Sequence, residues 1–144
     1  MYNNTNQKLT RKERDCILYI RKGSKDDFPV RVSDIAKTMN VKPPTIEELL
    51  NRMEEKALIK RKHGMITLTK SGNRMYNDII LTHRVLEIFF VECGVKLTNA
   101  CEEISNFDYL INIDTARMIL TKLGNPKTCP HGDPILPYDE ENGK

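Results

Sequence analysis

Long apolar runs are missing from this chain of 144 residues. No uninterrupted stretch approaches the ~20 residues that span a bilayer, which argues against a transmembrane helix. The opening residues, Met1-Tyr-Asn-Asn-Thr-Asn-Gln, carry neither a basic n-region nor an apolar h-region, so export by a secretory signal is not expected. Cysteine is sparse: Cys16, Cys93, Cys101 and Cys129 stand far apart, and none forms a CxxC pair. In a cytosolic chain such cysteines point to packing, metal or redox chemistry rather than to a disulfide framework. What remains is 39% hydrophobic and 30% charged, a composition that folds without staples. A cytoplasmic location is the default, with no membrane partner.

The formal net charge of +3 conceals an asymmetry. Residues 1–74 carry 17 Lys and Arg against 9 Asp and Glu, whereas residues 75–144 carry 6 against 11. Opposite signs suggest two tasks, a polyanion met by the first half and cations by the second.

In the first half, Thr10-Arg-Lys-Glu13 is a capping-box start for a helix through Cys16, Ile17, Leu18, Tyr19 and Ile20, ended by Gly23 and Ser24. A second short helix is expected over Arg31–Met39, capped at Ser33. A third follows the Asn40-Val41-Lys42 turn, with Pro43 and Pro44 in its first turn and Ile46, Leu49, Leu50 and Met53 on one face from about Thr45 to Lys56. Residues 58–62 and 65–69 alternate as strands about a His63-Gly64 tip. Three helices and a basic hairpin make a winged helix-turn-helix, whose third helix enters the major groove while the hairpin lies beside phosphates. Lys42, Pro44 and Thr45 at the third helix, Arg31 and Ser33 at the second, and Lys60, Arg61 and Lys62 on the wing are the candidate contacts to double-stranded DNA. Glu47 and Glu48 read best as a solvent-facing pair.

In the second half, a long helix runs to about Glu92, with His83 and Glu87 four apart on an otherwise apolar face. They read either as a hydrogen-bonded pair or as two ligands of a divalent cation. Asn99 is expected to cap a further helix, on which Cys101, Ser105, Asp108 and Tyr109 share a face, and Asp114 a last one, stopping at Leu123-Gly124. Cys129-Pro-His131 then offers a thiol and an imidazole in a loop. One intervening residue supplies neither an oxyanion hole nor an orienting acid, so no enzyme and no small organic substrate is expected.

Taken together, Arg31-Val-Ser-Asp-Ile-Ala, Lys42-Pro-Pro-Thr-Ile, Gly64-Met-Ile-Thr-Leu-Thr-Lys-Ser-Gly, His83-Arg-Val-Leu-Glu87 and Leu123-Gly-Asn-Pro with Cys129-Pro-His-Gly-Asp-Pro-Ile resemble the diphtheria-toxin-repressor/manganese-regulator family, in its short form. The resemblance implies a mostly α fold: a winged helix-turn-helix over 1–74, a helical dimerisation and metal-sensing domain over 75–137, and a loose acidic tail over 138–144. It also implies a homodimer that binds operator DNA when Fe(II) or Mn(II) is bound. His83 and Glu87 match two family ligands, and Cys101 falls at the place of a third. Asp108 falls at a further carboxylate position, while Ser105 and Tyr109 depart from the pattern at the second metal position. Glu13 or Asp15 would be bridging carboxylates from the first helix.

Two versions of the chemistry follow. In one, His83, Glu87, Cys101 and Asp108 hold a divalent corepressor. In the other, Cys93, Cys101 and Cys129, with His131, hold an iron–sulfur cluster or a thiolate metal such as Zn, and the regulator senses redox state. Phe89, Phe90, Ile104, Phe107, Leu110, Ile111, Met118 and Ile119 are the candidates for the dimer surface. A metal-independent DNA-binding protein would instead use His83 and Glu87 only as a buried pair.

Overall fold

The computed structural model describes residues 8–24 and 28–135. It divides into two compact units, Met1–Tyr76 and Asn77–Lys144, with the boundary inside the fourth helix. The tail expected over 138–144 lies outside the described residues.

The N-terminal unit begins with α1 (Arg11–Gly23), whose start is the reciprocal cap read from the sequence. Thr10 Oγ1 accepts from the Glu13 N–H at 3.2 Å, and the Glu13 carboxylate accepts from the Thr10 N–H at 3.3 Å. A two-residue strand β1 (Val30–Arg31) leads straight into α2 (Val32–Met39). The N-cap of α2 is thus Arg31, and Ser33 lies exposed in its first turn, not at its cap. Asn40 then takes the left-handed conformation at φ 52° and closes the helix. Pro43 and Pro44 open α3 (Pro43–Glu55), two residues earlier than expected from the apolar spacing, because neither needs an N–H there.

Strands β2 (Ile59–Lys62) and β3 (Met65–Leu68) form the wing, with Lys62 opposite Met65. His63 and Gly64, at φ 52° and 72°, make the two-residue turn that such a register requires. Strand β1 adds to the other edge of β3, giving the order β1-β3-β2. Cys16, Ile17, Ile20, Ile35, Ile46, Leu49, Leu50, Met53 and Ile66 are buried in this unit.

Gly72 marks a close approach at the start of α4 (Lys70–Glu92). Thr69 Oγ1 accepts from the Gly72 N–H and donates to the carbonyl of Ala57. A Cβ on Gly72 would lie 2.1 Å from the backbone oxygen of Leu58. Alanine would gain about 1 kcal/mol of helix propensity over glycine. The overlap with a backbone atom costs more, so Gly72→Ala should destabilise the protein by about 2 kcal/mol net. Urea unfolding reads this directly, and an unshifted midpoint would show that the two segments can part freely.

The C-terminal unit packs the rest of α4 against α5 (Leu97–Ser105), a 3-10 turn (Asp108–Leu110) and α6 (Ile113–Lys122). Lys96, not Asn99, precedes α5, and the side chain of Asn112, not of Asp114, caps α6 by accepting from the Asp114 N–H at 2.8 Å. One core joins Leu81, Val85 and Ile88 of α4 to Cys129 and Ile135 of the final loop. Another joins Leu86 to Ala100 and Ile104, with Phe90, Phe107, Ile111 and Ile119 packed on it. The residues expected at a dimer surface therefore separate into two sets. Ile104 is core, whereas Phe89, Leu110 and Met118 stay exposed at 46, 62 and 71%.

Candidate metal centre and nucleic-acid interface

Around the wing, Arg31, Ser33, Lys42, Pro44, Lys60 and Lys62 are exposed, and Thr45 is half-buried at the start of α3. Arg61 is engaged elsewhere. Glu47, Asn51 and Glu54 lie one and two turns apart along α3, and Arg61 reaches all three. Its Nη1 donates to Glu47 at 2.7 Å, its Nη2 to Asn51 at 2.5 Å, and its Nε to Glu54. Glu47 and Glu48 both face solvent, as expected, and Glu47 is in addition ion-paired with Arg61.

The candidate bridging carboxylates of α1 are also committed within the N-terminal unit. Glu13 is wholly buried, accepts from Lys56 Nζ at 2.6 Å and has Arg52 Nε at 3.5 Å, which ties α1 to the end of α3. Asp15 pairs with Arg11 and Arg14.

The chemistry of the C-terminal unit gathers on α4. His83 and Glu87 are one helical turn apart, and His83 Nε2 lies 2.8 Å from Glu87 Oε1. From α5, Cys101 brings its Sγ to 3.4 Å from the same Nε2. One ligand atom from each of His83, Glu87 and Cys101 falls within 4.8 Å of the others, the reach of a single cation. The other oxygen of Glu87 faces a second group. His131 Nδ1 lies 3.2 Å from Glu87 Oε2, and Glu87, Cys129 and His131 also bring their ligand atoms within 4.8 Å. The loop that presents them is tightly held. The Cys129 N–H donates to Asp133 O and the Gly132 N–H to Cys129 O, both at 2.8 Å, while Arg84 of α4 donates to Pro134 O.

Asp108 sits differently from expectation. The helix stops at Ser105, whose hydroxyl donates back to Cys101 O at 2.8 Å, and the chain turns before Asp108. Asp108 therefore shares no helical face with Cys101. Its buried carboxylate lies behind the imidazole, 2.9 Å from His83 Nδ1, while the ligand atoms of Glu87 and Cys101 are at Nε2. Cys93 is exposed at the end of α4 and belongs to neither group among the described residues. Cys16 is buried among apolar side chains, and burial together with nearby Glu13 and Asp15 pushes its thiol up to about 12, so it is inert packing.

Without metal the acidic groups hold a proton on the imidazole. Burial alone would lower the pKa of His83, but hydrogen bonds to Asp108, Glu87 and Cys101 outweigh it and raise the value to about 10. The reverse holds for Glu87, where burial favours the neutral acid but the bond and charge of His83 prevail and lower its pKa.

The donor set is that of a transition-metal site: imidazole, carboxylate and thiolate, partly buried and convergent. Two family models cover the chain in the same order. One, described as iron dependent repressor, N-terminal DNA binding domain, matches residues 8–64, and the other, iron dependent repressor, metal binding and dimerisation domain, matches residues 69–137. The chain belongs to the iron-dependent repressor family.

This member of the family is 27% identical over 128 residues to an uncharacterised HTH-type transcriptional regulator of Aeropyrum pernix, covering 88% of this chain and 71% of that one. It is 28% identical over 105 residues to the iron-dependent repressor IdeR of Mycobacterium leprae, spanning 70% of this chain but 45% of IdeR. Among solved structures, a hypothetical protein from Sulfolobus solfataricus superposes with a TM-score of 0.80 at 35% identity, over 90% of this chain and 100% of that one. A manganese-dependent transcriptional repressor in complex with manganese gives a TM-score of 0.71 at 28% identity, over 89% of this chain and 63% of its own. The fold is thus a winged helix-turn-helix DNA-binding domain followed by a helical metal-binding and dimerisation domain, the architecture of a metal-dependent DNA-binding repressor. No helix of the described residues is long and apolar enough to cross a membrane.

Proposed function

We propose that the protein is a homodimeric cytoplasmic repressor whose grip on palindromic operator DNA depends on a divalent metal held by His83, Glu87 and Cys101. The observation that carries this reading is the convergence of three ligand atoms from α4 and α5 within 4.8 Å. Glu87 extends the same centre through its second oxygen to Cys129 and His131. A thiolate in the set favours Fe(II) or another borderline-soft ion over Mn(II), which prefers oxygen donors.

When bound, a divalent cation supplies positive charge that cross-links α4, α5 and the final loop. The residues do the rest. To hold the cation, Glu87 would give up its bond to the imidazolium, and His83 Nε2 and the Cys101 thiol would each release a proton to solvent. Locking these segments biases the paired reading domains toward the spacing that two half-sites of an operator require. Lys42, Pro44 and Thr45 then face the groove, with Lys60 and Lys62 beside the phosphates. The iron–sulfur alternative is not favoured: each ligand group contains one cysteine, and Cys93 belongs to neither.

The test is a DNA-binding titration on a site selected from random duplex by the metal-loaded protein. Added Fe(II) under anaerobic conditions should tighten binding about 5- to 150-fold over chelated protein, the usual size of such coupling. Equal affinity in metal and in chelator would reduce the protein to a metal-independent DNA binder.

A further inference from the structure

We infer that Asp108 is a positioning residue that fixes which nitrogen of His83 is offered to the metal. This rests on the metal centre proposed above. It concerns a residue that the family pattern would make a ligand and that this chain uses otherwise.

The geometry separates the two sides of the ring. His83 Nδ1 lies 2.9 Å from Asp108 Oδ2, and Nε2 lies 2.8 Å from Glu87 Oε1 and 3.4 Å from Cys101 Sγ. In the metal-free ring both nitrogens face a carboxylate and both carry a proton; with Glu87 turned to a metal, the neutral imidazole would keep one N–H, and the buried carboxylate of Asp108 would hold it at Nδ1. The lone pair is then on Nε2, aimed at the atoms of Glu87 and Cys101. Without a fixed acceptor at Nδ1 the ring could carry its proton on either nitrogen, and half of its choices would put an N–H into the metal position. A carboxylate behind a ligating imidazole also increases its basicity.

The sequence explains how Asp108 reaches this place. On a continued helix it would lie seven residues, two turns, beyond Cys101, on the same face. The helix ends at Ser105 instead, and a 3-10 turn over Asp108–Leu110 carries the carboxylate round to the far side of His83. One segment thus holds the ring at both nitrogens, with sulfur on one side and carboxylate on the other. Asp108 is wholly buried in this position, so its orientation is set by packing and not by solvent.

Cobalt(II) and zinc(II) serve as probes. In the zinc-loaded wild-type protein, nitrogen NMR of the His83 ring should show a proton on Nδ1 and metal on Nε2; metal on Nδ1 would overturn the inference whatever any variant does. Asp108→Ala should weaken cobalt binding about 10- to 100-fold, the usual loss for an outer partner, with the thiolate-to-cobalt absorption unchanged in shape. Asp108→Asn keeps an oxygen that accepts from Nδ1–H and should recover most of that loss. Equal loss in both variants together with an altered cobalt spectrum would make Asp108 a ligand, contrary to the proposal. Full affinity in Asp108→Ala would leave it without a role at the metal. His83→Ala separates the two levels: if it too binds cobalt like the wild type, the metal centre itself is wrong, whereas a loss there with none in Asp108→Ala rejects the positioning role alone.

Discussion

His83→Ala will bind operator DNA with one affinity, the same with divalent metal as with chelator, and that affinity will match the chelated wild type. The whole 5- to 150-fold gain should vanish, because the imidazole is the ligand nearest both other donors. The winged unit holds its own core and should be untouched, so circular dichroism and basal DNA binding serve as controls. Glu87→Gln should do as much with less change in shape, since its two oxygens serve both ligand groups. Reciprocity provides a second readout: operator DNA tightens metal binding in the wild type by the factor by which metal tightens DNA binding, and in neither variant. Undiminished metal stimulation in both variants would remove these residues from the sensor.

The second large effect is on pH. His83 in the metal-free protein stays protonated up to about pH 10, so a metal that takes Nε2 must displace a proton throughout the neutral range. Each displaced proton makes apparent affinity rise about tenfold per pH unit below the pKa. An imidazole of ordinary pKa would level off above pH 7. Here the rise should continue, giving about a hundredfold between pH 6.5 and 8.5 from His83 alone. Stability of the metal-free protein runs the other way. The folded pKa lies above the ordinary 6.5, so the contribution of the imidazolium is complete below about pH 6.5 and fades as pH rises through about 10. A metal affinity that is flat above pH 7 would mean that His83 carries no such proton.

Much of the architecture was legible because its signals are local. The cap at Thr10 and Glu13, the double proline of α3 and the His63-Gly64 tip each act through neighbours within four residues. Strand β1 was not legible: two residues have no alternation, and Val30 and Arg31 become a strand only because β3 offers a free edge. Helix starts were misplaced wherever a Ser, Asn or Asp stood within reach. Ser33, Asn99 and Asp114 look like caps, yet the helices begin at Val32, Leu97 and Ile113.

In the metal centre, the four-residue step from His83 to Glu87 placed both on one face, since it lies inside a long helix. The spacing from Cys101 to Asp108 misled, since no glycine or proline announces the stop at Ser105. The chain leaves the helix at Phe107, at φ −146°, after Ser105 and Asn106 have turned their side chains back onto Cys101 O and Glu102 O. The contact of His131 with Glu87 joins residues 44 apart, and no periodicity could show it.

The clasp of Arg61 on Glu47, Asn51 and Glu54 alters what an approaching duplex encounters. Counted residue by residue, the wing offers three cations and the reading helix presents an acidic stripe. Folded, one of the cations is cancelled against that stripe. Under the proposed docking, counterion displacement from the phosphates would fall to Arg31, Lys42, Lys60 and Lys62, and the ionic-strength slope of binding should be shallower than the basic count suggests, by about one unit for each phosphate that Arg61 does not touch. The guanidinium would serve the duplex by offsetting the charge of two carboxylates that stay exposed on that helix.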